Sequence, residues 1–96
     1  MPALSYVHGA TDTPLIGQTL GQNFDQACQR FGSELALVAR HQNIRYTYAE
    51  LKDQVDRVAC SLIRLGFAPG DRLALWATNC AEWTIIQYAT AKAGII

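Results

Sequence analysis

Apolar residues recur along this chain with more than one period. Leu20, Phe24, Ala27, Cys28 and Phe31 fall at i, i+4, i+7, i+8 and i+11, a single stripe at the ~3.6-residue helical period. Thr19 with Gln22 three residues later fits a capping box, which predicts where this helix starts. Gly32 is placed to end it in a left-handed conformation. Leu35–Ala39 and Ile44–Thr47 then read as two short strands. The link between them, Arg40 to Asn43, holds an asparagine that tolerates the left-handed region, so a hairpin is predicted.

A second capping box, Thr47 with Glu50, opens a longer helix. Leu51, Val55, Val58, Ala59, Leu62 and Leu65 form its predicted buried face, and Lys52, Asp53, Asp56 and Arg57 mostly lie away from it. Gly66 closes that helix, and Pro69-Gly70 suits a type II turn. Leu73 to Ala77 is continuously apolar. An exposed face would give alternation, so the run predicts a parallel strand covered on both faces. Asn79 is placed to cap a third helix, with Glu82 in its first turn, running to about Ala93 and ended by Gly94. Its polar residues Glu82, Gln87 and Lys92 share no single stripe, which predicts contacts on several sides. Ile95-Ile96 begins a strand parallel to the previous one, reached by a right-handed crossover. Met1 to Gly17 shows no sustained period and reads as an extended leader. The fold class is α/β.

Composition narrows the function classes. Ninety-six residues make about one small domain with a thin core. Half of them are apolar, as in a globular chain. Eight basic and eight acidic residues cancel, so there is no basic field for a nucleic acid. Cys28, Cys60 and Cys80 are odd in number and far apart. They read as three reduced, packed thiols suited to a cytoplasmic location, not as a disulfide framework or zinc site. The N-terminus has neither the basic and apolar regions of a secretory signal nor the Arg-rich character of a transit peptide. No apolar run approaches the ~18 residues of a membrane span.

Candidate chemistry is sparse. Gly17-x-x-x-Gly21 and Gly66-x-x-x-Gly70 form no phosphate loop and are better explained as turns and helix ends. Ser5, Ser33 and Ser61 lie in no nucleophile elbow, and nothing pairs them with His8 or His41. Arg40, His41 and Arg45 could touch an anion, but a solvated hairpin end is the better default. Asn79 sits where open α/β sheets bind ligands, yet capping explains it without one. Trp76 and Trp83 could stack on a base, although core packing is the commoner use.

The ordered set of Thr47-Tyr48-Ala49-Glu50-Leu51, Gly66, Pro69-Gly70-Asp71, Asn79, Glu82-Trp83 and Ala91-Lys92-Ala93-Gly94 resembles the start of an adenylate-forming enzyme. More narrowly, it resembles the acyl-CoA synthetases of the AMP-binding superfamily over about Thr19 to Ile96. Tyr6-Val7-His8-Gly9 and Pro14-Leu15-Ile16-Gly17-Gln18-Thr19 look most like bacterial fatty-acyl-CoA synthetases. Cys80 and Phe67 stand where other residues are more usual.

The resemblance implies a two-step ligase that uses ATP, Mg²⁺, coenzyme A and a fatty acid or other carboxylic acid. It implies residues 1–18 as leader and 19–96 as an incomplete N-terminal AMP-binding domain that stops before the phosphate loop. No catalytic, cofactor-binding or metal-binding residue is carried over, since the family's nucleotide-binding motifs lie downstream. The expectation is a segment inactive and marginally stable by itself, completed by the remainder of its own chain. The alternatives are a noncatalytic α/β interaction module or another relative: an aryl-CoA ligase, a luciferase-like enzyme or a peptide-synthetase adenylation domain.

Overall fold

Two reciprocal caps decide where the first two helices begin. Thr19 Oγ1 accepts from the Gln22 N–H at 3.1 Å, and the Thr19 N–H donates to Gln22 Oε1 at 3.1 Å, starting α1, Leu20–Arg30. Thr47 and Glu50 repeat the arrangement at 3.2 and 2.8 Å, starting α2, Tyr48–Arg64. Carbonyls from the preceding loop satisfy two more first-turn donors of α2. Tyr48 N–H donates to Glu34 O at 2.9 Å and Ala49 N–H to Gly32 O at 3.0 Å. The computed structural model describes residues 5, 7, 9 and 12–96, so the expectations for Tyr6 and His8 lie outside the described residues.

Between these helices lies the predicted hairpin. β1 (Leu35–Ala39) pairs antiparallel with β2 (Ile44–Thr47), with Ala39 opposite Ile44, Val38 opposite Arg45 and an irregularity between Leu35 and Leu37. The link winds into one 3-10 turn, Arg40–Gln42, and Asn43 takes the left-handed conformation at φ 55°. Gly32 does not behave as predicted. Only Gly66, Gly70 and Gly94 among the described glycines have positive φ, and α1 ends at Phe31. A Cβ on Gly32 would stand 3.1 Å from the Cys28 carbonyl oxygen, so close approach is the reason for glycine there.

The core lies among α1, α2 and α3 (Ala81–Ala93). Phe24 and Cys28 meet Leu51, Val55, Ala59 and Leu62, which in turn meet Ile85, Ala89 and Ile95. Phe24 stacks on Tyr88 with ring centroids 4.4 Å apart.

Leu65, predicted buried, is 77% exposed. Gly66, at φ 104°, reverses the chain, and Phe67 N–H donates back to Leu62 O at 3.2 Å. This helix stop carries the Phe67 ring onto the core in place of Leu65. The same device ends α3. With Gly94 left-handed, Ile95 N–H reaches Thr90 O at 2.9 Å and the Ile95 side chain turns inward.

Ala68 to Asp71 form the predicted turn, with Asp71 N–H on Ala68 O at 3.0 Å and Gly70 at φ 89°. Two bonds then define a parallel contact. Ile96 N–H donates to Asp71 O and Leu73 N–H to Ile96 O, both at 2.8 Å, setting Arg72 beside Ile96.

The expectation of a strand covered on both faces is corrected. Leu73 and Leu75 are half-buried toward α3, whereas Ala74, Trp76 and Ala77 are exposed, so burial alternates from Leu73 to Trp76. α3 covers one face, and among the described residues nothing covers the other. Residues 71–77 are extended without forming a regular strand, because the pairing on Ile96 reaches only to Leu73.

Candidate functional site

Three places gather polar or exposed groups that local structure alone does not require. The first is the junction of the three helices. Lys92, on α3, runs its stem over Gly21 of α1, where an added Cβ would stand 3.1 Å from Lys92 Cγ. Its ammonium donates to Asp25 of α1 at 2.7 Å and also to Asp56 of α2. Lys52 donates to Asp56 at 2.5 Å and lies 3.7 Å from Asp25. Lys52 and Asp56 lie away from the buried face of α2 as predicted, and both are half-buried in a four-residue charge network.

The side chain of Lys92 is only 17% exposed. Burial alone would lower its pKa, but the bonds from Asp25 and Asp56 outweigh that and hold the ammonium above its usual value. Burial likewise works against the Asp56 carboxylate, and Lys52 and Lys92 overcome it and bring the pKa below its usual value. For Lys52 the bond to Asp56 is the main cause of an upward displacement. Cys28, beneath the network, is pushed up by burial and by Asp25, so it stays a neutral thiol. These pairings join helices, and none of these groups is left free to act on a substrate.

The second place is the start of α3. Asn79 is exposed and caps nothing; Cys80 occupies the cap position without a side-chain bond to the helix backbone. Gln42, from the 3-10 turn, does the capping from 39 residues away. Its Oε1 accepts from Ala81 N–H at 2.8 Å, and its Nε2 donates to Glu82 Oε2 at 2.8 Å. The Gln42 bond is the largest cause holding the Glu82 carboxyl below its ordinary pKa. Arg40, His41, Asn79 and Cys80 line one shallow hollow here, whereas Arg45 lines a different one with Arg40. The predicted basic cluster is thus divided, and the leading N–H of α3 is already taken.

The third place is the extended segment. Leu73 and Leu75 form a groove with Trp83, Ile86, Gln87 and Thr90. Its volume of about 220 Å³ falls below that of pockets holding a drug-sized ligand, ~300–1,000 Å³. Trp83 is pinned by its Nε1–H on Ala77 O at 3.1 Å. Trp76, expected in a core, is fully exposed at 101%. Cys60 is exposed as well, and only Cys28 is a buried thiol.

Among the described residues no group of His, Cys, Asp and Glu could hold a metal, and no helix is long and apolar enough to cross a membrane. The glycines with positive φ sit at helix ends and one turn, with no row of free N–H groups pointing at an anion. The Lys52–Asp56 pair had an i,i+4 signal in the sequence, but the partnership of Gln42 with Glu82 had none.

Residues 24–96 match the family of AMP-binding enzymes. The chain is 48% identical over 93 residues to the mitochondrial medium-chain acyl-CoA ligase ACSF2 of Rattus norvegicus, covering 97% of this chain and 15% of that protein. It is 39% identical over 82 residues to the putative acyl-CoA synthetase YngI of Bacillus subtilis, covering 85% of this chain and 15% of that one. A fatty acyl CoA synthetase from Mycobacterium tuberculosis superposes with a TM-score of 0.78 at 32% identity, covering 81% of this chain and 16% of that one. The N-terminal subdomain of Klebsiella oxytoca NpsA does so with a TM-score of 0.76 at 28% identity, covering 81% of this chain and 20% of that one. The chain thus spans about 15% of the length of these curated relatives.

Proposed function

Because this chain belongs to the AMP-binding enzyme family, we propose that it forms the N-terminal part of an ATP-dependent acyl-CoA ligase. In that reaction a carboxylate attacks the α-phosphate of ATP, giving an acyl-adenylate and pyrophosphate. The thiol of coenzyme A then displaces AMP and leaves the thioester. The observation that carries the reading is 48% identity to an acyl-CoA ligase over 97% of this chain. That relative's name makes medium-chain fatty acids the first substrates to try.

ATP, Mg²⁺ and coenzyme A belong to the whole enzyme. No step of the reaction is assigned to the residues of this segment. Their contribution is scaffolding. Gln42 fixes the hairpin against the start of α3, and Lys92 ties α3 to α1 and α2. Residues 19–96 constitute the beginning of the ligase's N-terminal domain, and residues 1–18 a leader to it. The location we infer is cytoplasmic, supported by three free cysteines, one of them exposed.

The test is pyrophosphate exchange with ATP, Mg²⁺ and octanoate. The 96-residue chain alone should give none, and a full-length ligase beginning with this sequence should give exchange and, with coenzyme A, octanoyl-CoA. Robust exchange by the chain alone would sink the scaffold reading; a full-length protein without thioester product would sink the ligase reading. Fractionation of cells producing the full-length protein, with the label in a membrane-bounded organelle, would overturn the location.

A further inference from the structure

Residues 78–80 connect the carboxyl end of the extended segment to the start of α3. The segment pairs parallel with Ile96, so this connection lies on the edge where open α/β sheets bind their ligands. Two side chains from outside the connection fix its ends. Trp83 Nε1–H donates to Ala77 O at 3.1 Å, and Gln42 Oε1 accepts from Ala81 N–H at 2.8 Å. Gln42 Nε2 also donates to Glu82 Oε2 at 2.8 Å.

Capping by itself does not call for Gln42. A helix is ordinarily capped by the residue just before it, and neither Asn79 nor Cys80 does so here. Supplying the cap from the hairpin has a second effect. It sets Arg40 and His41 into one hollow of about 300 Å³ with Asn79 and Cys80. No acidic side chain lines that hollow. Glu82, the carboxylate that interacts with His41, is engaged by Gln42 and Cys80 instead.

We propose that Gln42 is a positioning residue for the ligase reaction. By tying the hairpin turn to the start of α3 it holds Arg40, His41 and Asn79 around a phosphate group, with two donors of positive charge and an amide to receive it. That phosphate belongs to ATP or to coenzyme A, and the experiment separates the two. Gln42 itself touches no substrate. The inference rests on the reading of the chain as the N-terminal part of an acyl-CoA ligase.

The test is steady-state kinetics of a full-length ligase beginning with this sequence, varying ATP and coenzyme A in turn. Gln42→Ala should raise KM for one of the two about tenfold while kcat stays within about twofold, as when a binding group is misplaced. Arg40→Ala and Asn79→Ala should raise the same KM. The double variant Gln42→Glu/Glu82→Gln exchanges donor and acceptor, keeps both bonds and should restore it. Thr47→Ala removes a cap of similar strength at the opposite end of the hairpin and should move neither KM, which separates positioning from lost stability.

Unchanged KM for both nucleotides in Gln42→Ala, an equal change in Thr47→Ala, or no rescue by the double variant would each overturn the proposal. A change confined to the KM for octanoate would overturn it as well. A wild-type protein that makes no octanoyl-CoA would count against the proposed function alone; the dissociation constants of ATP and coenzyme A, measured by calorimetry on the same variants, then decide the role of Gln42 by the same ratios.

Discussion

The helix junction and the extended segment both present apolar side chains to a neighbouring layer, yet only one of them closes. At the junction Val55 is 0% exposed, Ala89 likewise, and the polar side chains that enter are matched charge for charge. At residues 73–77 the run Leu-Ala-Leu-Trp-Ala is apolar throughout, and Ala74, Trp76 and Ala77 stand exposed. Propensity is therefore not what separates the two regions; the presence of a second layer is. The helices supply layers to one another, whereas the segment receives one from α3 and, among the described residues, none on its other side.

The sharpest way to break this contrast is to place a carboxylate in each region. Val55→Asp buries an unpaired charge where nothing can hydrate it, and should cost about 4 kcal/mol or more, enough to abolish cooperative unfolding of so small a domain. Trp76→Asp in the isolated chain should change stability by no more than about 0.5 kcal/mol, since the side chain it replaces is fully exposed. Urea titration followed by circular dichroism measures both. Similar losses at the two positions would mean that Trp76 is covered in solution and that the contrast is false.

What the sequence disclosed follows the same division. Where the deciding partner lies within a turn or two the expectations mostly hold, Gly32 and Leu65 being the exceptions. Both capping boxes, the two strands, Asn43 in the left-handed region, the Pro69-Gly70 turn and the Gly94 stop all stand as read. Leu65 lost its place to Phe67 because the Gly66 stop brings the next residue back over the helix. Asn79 lost the cap to Gln42. Lys92 was legible only as a polar residue on a helix with no polar stripe; its pairing with Asp25, 67 residues away, was not. The family resemblance was legible because it rests on the order of local pieces, and the candidate site was not, because clusters assembled by packing leave no spacing to read.

Lys92 offers the next test of the closed region. Lys92→Met keeps much of the stem over Gly21 but leaves Asp25 and Asp56 with Lys52 alone, and should cost about 2 kcal/mol in thermal or urea unfolding. The sign of the pH dependence follows from the same groups. Asp56 has its folded pKa depressed, so its contribution is present above the unfolded value near 3.8 and is lost as pH falls through the folded value. Lys52 and Lys92 have theirs raised, so their contribution is present below 10.5 and is lost as pH rises through the folded values. The contribution of the network should be level between those limits and fall outside both. Removing Lys92 should bring the folded pKa of Asp56 back up and so make the acid loss smaller. A wild-type protein that gains stability on acidification below pH 3.8 would contradict the network.

The smallest effects decide which residue caps α3, and so how the hairpin communicates with the open segment. Gln42→Ala removes the acceptor from Ala81 N–H and the donor to Glu82, exposing the first turn of α3 to fraying. An N-terminal cap is worth about 1 kcal/mol, and the loss should appear as faster amide exchange confined to the start of α3. Asn79→Ala should change neither stability nor exchange beyond about 0.3 kcal/mol, because the Asn79 side chain is exposed and caps nothing. The reverse ranking would mean that Asn79 swings in to cap α3 and that Gln42 is only a surface side chain. In that case the hairpin would lose its polar tie to α3, and the start of α3 would depend on the open segment rather than on the closed region.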